Sequence, residues 1–366
     1  MTHRPLFRSI AGAIAIASTT ASLCAEDKPA APVFDANGTV HVPAFDLPPS
    51  TLISKEALEA QAMRARMPGG APPSSGDITA VRKGLEMMLA PQVSGMRKQY
   101  AVDIVDQTIE GVPTRIVTPQ GKPVDPKHVL INLHGGGFTM CADACALLES
   151  VPIASLGGYK VVSVNYRMAP EATHPAGVED VATVYRALLK SYKAKNIGIY
   201  GCSAGGALTA EAAAWLPAHG LPQAGAVGIF GAGAVRFGGG DSAWIAAYID
   251  GSFPPPAKSG GTAPDITRGY FANADMSDPI ISPALHPDVV AKFPPTLIIT
   301  GTRAMDMSPA IYTNSQLLKA GVRSTLIVGE GMIHCYIYNS DLPEARDAYG
   351  IIVKFFNEHL GVKRKA

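Results

Sequence analysis

The stretch Gly201-Cys202-Ser203-Ala204-Gly205-Gly206 joins an apolar run, residues 196–200, to an alanine-rich run, residues 207–215. That order reads as strand, sharp turn, helix. A serine at the centre of Gly-x-Ser-x-Gly on such a turn takes a strained backbone conformation. Glycines are needed two positions to either side because the strand and helix backbones approach closely, and larger side chains at Gly201 and Gly205 would clash. The Ser203 hydroxyl is therefore expected to stand clear of a sheet. The Ala204 amide, at the helix start, would point toward an oxygen held beside it. The pattern is short and built from common residues, so its weight comes from the strand and helix that flank it.

The rest of the chain repeats the same rhythm. Residues 129–133 form a continuous apolar run of buried-strand length, followed by a helical stretch to about Leu156. Residues 159–164 are the next such strand, then a helix over 176–192, then the strand that feeds Ser203. Residues 226–230, 296–300 and 324–328 continue the series, and 344–360 makes a closing helix. Strands alternating with helices imply an α/β fold, a mostly parallel twisted sheet with right-handed crossovers. Ahead of it, 100–108 and 112–118 alternate as antiparallel strands about a Glu110-Gly111 turn. Two helices, 54–67 and 77–88, precede them and are separated by Pro68-Gly69-Gly70-Ala71-Pro72-Pro73. One interval breaks the alternation. Between Gly231 and Lys292 lie Phe237-Gly238-Gly239-Gly240, a short helix around 244–249 and Pro254-Pro255-Pro256, an insertion better suited to a lid or binding segment than to slack.

The ends read differently. Arg4 and Arg8 precede an uncharged run, 10–17, and a small-residue stretch ends at Ala25 before Glu26-Asp27-Lys28, the layout of a secretory signal with cleavage near Ala25. Its apolar core is too short for a stable membrane anchor. Leu23-Cys24 has its leucine in the wrong place for lipoprotein processing. The expected division is a signal peptide at 1–25, a leader and N-terminal part of a cap at 26–95, and a catalytic domain at 96–366 with a cap insertion at about 234–290. A 366-residue chain with 47% hydrophobic residues can bury one large core with such a lid. A net charge of +1 leaves no basic field for nucleic acid.

Export changes how the five cysteines are read. If Cys24 leaves with the signal, Cys141, Cys145, Cys202 and Cys335 remain, an even number in an oxidising compartment, with three pairings open. A Cys141–Cys145 bridge is awkward if both lie on one helix, and Cys202–Cys335 would join two catalytic loops. All four are expected to be small buried thiols. No His and Cys spacing resembles a metal site.

Two further stretches bear on chemistry. His134-Gly135-Gly136-Gly137-Phe138 follows the strand ending at Leu133, and three glycines let backbone amides turn inward to meet a developing oxyanion. Gly331-Met332-Ile333-His334-Cys335 lies past the last sheet strand. Of the nine histidines, only His334 sits where a base must lie to take a proton from the serine. His174, His219 and His286 read as surface or loop residues, and His134 as the structural head of its glycine run.

The motifs His134-Gly135-Gly136-Gly137-Phe138, Asn165-Tyr166-Arg167-Met168-Ala169-Pro170-Glu171, Gly201-Cys202-Ser203-Ala204-Gly205-Gly206, Asp278-Pro279-Ile280-Ile281-Ser282-Pro283 and Gly331-Met332-Ile333-His334 occur in that order. Together they resemble the hormone-sensitive-lipase family of α/β-hydrolase esterases, over about residues 129–360. The resemblance implies an α/β-hydrolase fold with a helical cap and cofactor-free hydrolysis of carboxylic esters, the substrate a small molecule. It also implies Ser203 as nucleophile, His334 as base, and the amides of Gly136, Gly137 and Ala204 as an oxyanion hole. The Tyr-Arg-x-Ala-Pro-Glu segment would be a structural brace.

One departure concerns the acid. The family places an aspartate in the loop after the strand 296–300, and the expected positions here are Ala304 and Ser308, neither acidic. Asp306 lies between them. Either a rearranged loop brings Asp306 to His334, or the histidine lacks its orienting acid; Asp278 and Glu330 are the other carboxylates to consider. Two functions follow. The first is a serine carboxylesterase for short- to medium-chain esters, its pocket walled by Phe237, Trp244, Tyr248 and Phe253 unless these merely hold the cap. The second is a ligand-binding or weakly active descendant impaired by Ala304. An amidase or a polyester or lactone hydrolase would use the same machinery.

Overall fold

The computed structural model describes residues 31–64, 76–236, 239–249 and 265–362. The chain divides into two units, Met1–Pro48 and Pro49–Ala366. Where the sequence predicts a leader, the first unit holds a short exposed antiparallel pair, β1 (Val33–Phe34) and β2 (Val40–His41). The expected signal segment, Phe237 and Phe253 lie outside the described residues.

The second unit begins with α1 (Lys55–Arg64) and α2 (Ile78–Gln99). Asp77 caps α2 by accepting from the Thr79 amide at 2.9 Å. The helix runs eleven residues past the end predicted at Met88 and continues through Pro91. A proline inside a helix removes one backbone hydrogen bond. Burial of Met96, with Leu89 and Val93 packed against the same core, offsets that loss.

Next come β3 (Val102–Ile109) and β4 (Val112–Pro119), an antiparallel hairpin. Glu110 and Gly111 have φ of 47° and 84°, the positive pair that a two-residue hairpin turn requires. The alternating part follows as β5 (Val129–Leu133), α3 (Ala144–Gly157), β6 (Lys160–Val164), α4 (Ala176–Leu188), β7 (Ile197–Cys202), α5 (Ala204–Ala218) and β8 (Ala226–Phe230). After the inserted α6 (Asp241–Ile249) and a short α7 (Pro287–Val290) come β9 (Thr296–Gly301), α8 (Met307–Lys319), β10 (Ser324–Gly329) and α9 (Pro343–Leu360).

The eight strands of the main sheet stand in the order β10-β9-β8-β7-β5-β6-β4-β3, and β4 alone runs against the rest. This is the α/β-hydrolase sheet. From β5 the chain crosses to β6 on one side and then returns to β7 on the other. The order therefore reverses between β5 and β7, which is where open sheets of this kind place their sites. Register aligns the strand ends: Leu133 pairs with Gly201, and Cys202 with Phe230.

Alternating side chains on the strands build two cores. Ile131, Leu133, Ile197 and Ile199 face the side covered by α4, α5 and α8. Leu130, Tyr200, Leu297 and Ile299 face the side covered by α3 and α9. In the insertion, Trp244 and Tyr248 are 51% and 74% exposed. What ties α6 down is reciprocal bonding of Ser242 with Ser308, 3.0 and 2.8 Å, and a bond from Ser242 Oγ to the Met305 carbonyl.

Candidate active site

The turn between β7 and α5 has the tightness its glycines imply. A Cβ added at Gly205 would stand 1.7 Å from the Leu133 carbonyl oxygen, and one at Gly201 would meet that same oxygen at 2.2 Å and the Gly205 backbone at 2.6 Å. Ser203 adopts φ 59°, ψ −123°, a conformation that costs a non-glycine residue about 1–3 kcal/mol. It is held by its amide donating to the Phe230 carbonyl at 2.9 Å and its carbonyl accepting from Ala207 at 3.0 Å.

His334 arrives on the loop after β10. Its Nε2 lies 2.9 Å from Ser203 Oγ and its Nδ1 lies 2.6 Å from Asp306 Oδ1. Asp306 is fully buried at the start of α8, and its other oxygen accepts from the Thr300 hydroxyl at 2.5 Å. A carboxylate accepts at both oxygens, so the proton between it and the ring sits on Nδ1 and leaves Nε2 free to accept from the serine.

The two-residue displacement of the acid is absorbed by a compact turn. The Ala304 amide donates to Gly301, Arg303 to Met332 and Met307 to Ala304. Ala304 is buried in that turn, and Ser308 serves as an anchor for α6. The other carboxylates are placed elsewhere: Asp278 accepts from the Ile280 amide in its own turn, and Glu330 is exposed.

The glycine loop after β5 abuts the serine. A Cβ at Gly135 would lie 3.4 Å from Ser203 Cβ and 2.5 Å from the Tyr338 hydroxyl. Gly136 and Gly137 have φ of 111° and 64°, which only glycine holds comfortably. Among the described residues, neither of their amides, nor that of Ala204, has a hydrogen-bond acceptor. His134 stacks on Tyr166 with ring centroids 4.4 Å apart and bonds the Gly135 carbonyl through Nδ1. Burial lowers its pKa to about 4, so the ring is neutral.

The Tyr-Arg-x-Ala-Pro-Glu segment braces this loop. Tyr166 donates to the His134 carbonyl at 2.8 Å, and Arg167 pairs with Asp180 and Glu179. Glu171 holds Arg82 of α2, which also donates to the carbonyls of Thr139 and Ala169. His174 is in a loop, as its sequence context suggests, but it is not a surface group. Its side chain is 12% exposed, with Nε2 3.7 Å from Glu211 Oε2, and neither atom has a hydrogen-bond partner among the described residues. Burial raises the Glu211 pKa and lowers that of His174, favouring the neutral form of both.

The expectation of four free thiols is corrected. Cys141 pairs with Cys145, and Cys202 with Cys335. Cys141 lies before α3 with φ 69°, so the local bridge does not have to close along a helix. The second bridge joins the residue before Ser203 to the residue after His334. A Cβ at Gly231 would approach its two sulfurs to 2.7 and 3.1 Å, so that glycine makes room for it. Sequence reading also passed over Thr300 and Glu149. A signal for Glu149 was present, since it is the single charged residue in the fourteen of α3.

A mostly parallel sheet in this order, with a strained serine on the turn after its central strand, defines an α/β-hydrolase. The profile of a family described as alpha/beta hydrolase fold matches residues 130–338, more than half of the chain. The chain belongs to that family, among its hormone-sensitive-lipase-type members, and it is a carboxylic ester hydrolase. It is 29% identical over 241 residues to an acetyl-hydrolase of Streptomyces hygroscopicus, covering 63% of this chain and 76% of that protein. It is 32% identical over 123 residues to a versiconal hemiacetal acetate esterase of Emericella nidulans, a match spanning 33% of this chain and 42% of that protein. Among solved structures, it resembles an esterase at TM-score 0.74 and 27% identity, covering 87% of this chain and 98% of the other. A bacterial hormone-sensitive lipase family esterase follows at TM-score 0.71 and 25% identity, covering 84% of this chain and 99% of the other.

Proposed function

We propose that the protein is a serine carboxylesterase that hydrolyses short- to medium-chain esters through an acyl-enzyme. Ser203 Oγ attacks the ester carbonyl as its proton passes to His334 Nε2. Asp306 holds the imidazole in the accepting tautomer and stabilises the imidazolium that forms. Negative charge on the carbonyl oxygen is met by the amides of Gly136, Gly137 and Ala204. His334 then gives its proton to the departing alcohol. In the second half, water loses a proton to His334 as it attacks the acyl carbon; the bond to Ser203 Oγ then breaks, His334 returns the proton to that oxygen, and the acid leaves.

The observation that carries this reading is the unbroken line from Asp306 Oδ1 through His334 to Ser203 Oγ, 2.6 and 2.9 Å. The weakly active alternative was motivated by Ala304; the Asp306 contact favours the first reading. The acetyl and acetate groups in the names of two relatives support a small acyl group. Export is part of the proposal, supported by the layout of residues 1–25 and by two disulfides.

The test is turnover of p-nitrophenyl acetate and butyrate. Ser203→Ala abolishes it, and Asp306→Asn lowers kcat by about 10⁴, the loss seen when a serine protease loses the acid that orients its histidine. Wild-type turnover by Ser203→Ala would remove the proposal.

A further inference from the structure

Glu149 is buried, 3% exposed, beneath the loops that carry the chemistry. Its carboxylate accepts four hydrogen bonds. Oε1 takes the Gly135 amide at 2.9 Å and the Tyr338 hydroxyl at 2.6 Å; Oε2 takes the Asn132 side-chain amide at 2.8 Å and the Cys202 amide at 3.1 Å. Gly135 opens the glycine loop, Cys202 is the residue before the nucleophile, and Tyr338 lies four residues past the base. One side chain therefore touches all three loops.

The donor set selects the charge. Four donors converge on two oxygens, and a carboxylate offers lone pairs to all of them. A carboxamide or a carboxylic acid brings hydrogens of its own, which would face the fixed N–H groups of Gly135 or Cys202. The glycine at position 135 is part of the same arrangement, because a Cβ there would occupy the place of the Tyr338 hydroxyl.

We propose that Glu149 is a positioning residue for ester hydrolysis: its carboxylate ties the oxyanion loop, the nucleophile turn and the base loop into one geometry. This rests on the serine mechanism proposed above. A shift of about 1 Å in a preorganised amide donor is expensive in rate and cheap in ground-state binding. The effect therefore belongs in kcat and in the binding of tetrahedral adducts.

Protonation offers a second handle. Burial raises the Glu149 pKa to about 7 against the pull of its four donors. The ionisable groups facing it are the phenols of Tyr166, Tyr200 and Tyr338, all held well above their ordinary 10 by burial. As pH falls below about 7, Glu149 takes up a proton and the four-donor cradle loosens. Part of the acid-side loss of wild-type activity then belongs to this group.

The experiment compares wild type, Glu149→Gln and Tyr338→Phe for kcat and KM on p-nitrophenyl butyrate. It also measures inhibition by a trifluoromethyl ketone, which forms a tetrahedral adduct, and the rate of labelling by a fluorophosphonate. Glu149→Gln is expected to lose roughly 10- to 10³-fold in kcat and in ketone affinity, with KM changed by less than about threefold, and to show a shallower acid limb. Tyr338→Phe, which removes one donor of four, loses less in the same direction. Folded Glu149→Gln with wild-type kcat and ketone affinity overturns the proposal. If that variant does not fold, Tyr338→Phe with both quantities unchanged does so. A wild type that hydrolyses the ester but is not labelled by the fluorophosphonate overturns the serine mechanism itself, and this proposal with it.

Discussion

At Gly205 two effects of known size oppose each other. Alanine is favoured over glycine inside a helix by about 1 kcal/mol, and Gly205 lies in the first turn of α5. The added methyl would stand 1.7 Å from the Leu133 carbonyl oxygen, a backbone atom that cannot rotate away. Overpacking typically costs about 1–3 kcal/mol and more when backbone must move, so the clash wins. Gly205→Ala is expected to lose at least about 2 kcal/mol in urea denaturation and most of its activity. Unchanged stability would mean that β5 and the turn can separate freely. Such residue-level demands were legible in advance, because Gly201, Ser203 and Gly205 sit within five positions. Asp306 was not legible to the same degree. Whether its carboxylate reaches His334 depends on how the turn from Gly301 to Met307 is bonded, and those partners, Gly329 and Met332, lie on the neighbouring strand and loop.

Among the elements, the positions of the central strands β5 to β9 followed from apolar run length, since a strand buried on both faces has no polar alternation to confuse it. Helix α2 did not, because the packing of Leu89, Val93 and Met96 outweighs the local signal of Pro91. The disulfide between Cys202 and Cys335 joins the end of β7 to the loop that carries His334 across 133 residues. Closing a loop of that length in the unfolded chain is worth up to about 5 kcal/mol by chain entropy. Reduction by a dithiol, or the pair Cys202→Ala with Cys335→Ala, should lower unfolding free energy by about 3–5 kcal/mol, read from urea midpoints with and without reductant. An unchanged midpoint would show that the two sulfurs are not joined in the folded protein.

Over the whole molecule, the proposed export rests on the paired cysteines and on the uncharged run at residues 10–17. All four cysteines beyond Cys24 are in bridges, which persist outside the reducing cytosol. Among the described residues, no helix is long and apolar enough to cross a membrane. Expressed with its own leader, the protein is expected to be recovered outside the cytoplasm with a mature N-terminus at Glu26, as intact-mass measurement would show. Recovery from the cytosol with Met1 retained would refute the proposed export.

The order of motifs along the chain determined the fold and marked Ser203 and His334 as the candidate nucleophile and base. Each is written in a few consecutive residues whose sizes and backbone freedom leave little choice of local conformation. Tertiary structure decided which carboxylate meets the imidazole, that Glu149 lies under the site, and that Cys202 and Cys335 pair. Those contacts join positions 28, 14 to 189 and 133 residues apart. A hydrogen bond or a disulfide depends on distance in space, and only the packed sheet with its crossovers sets that distance.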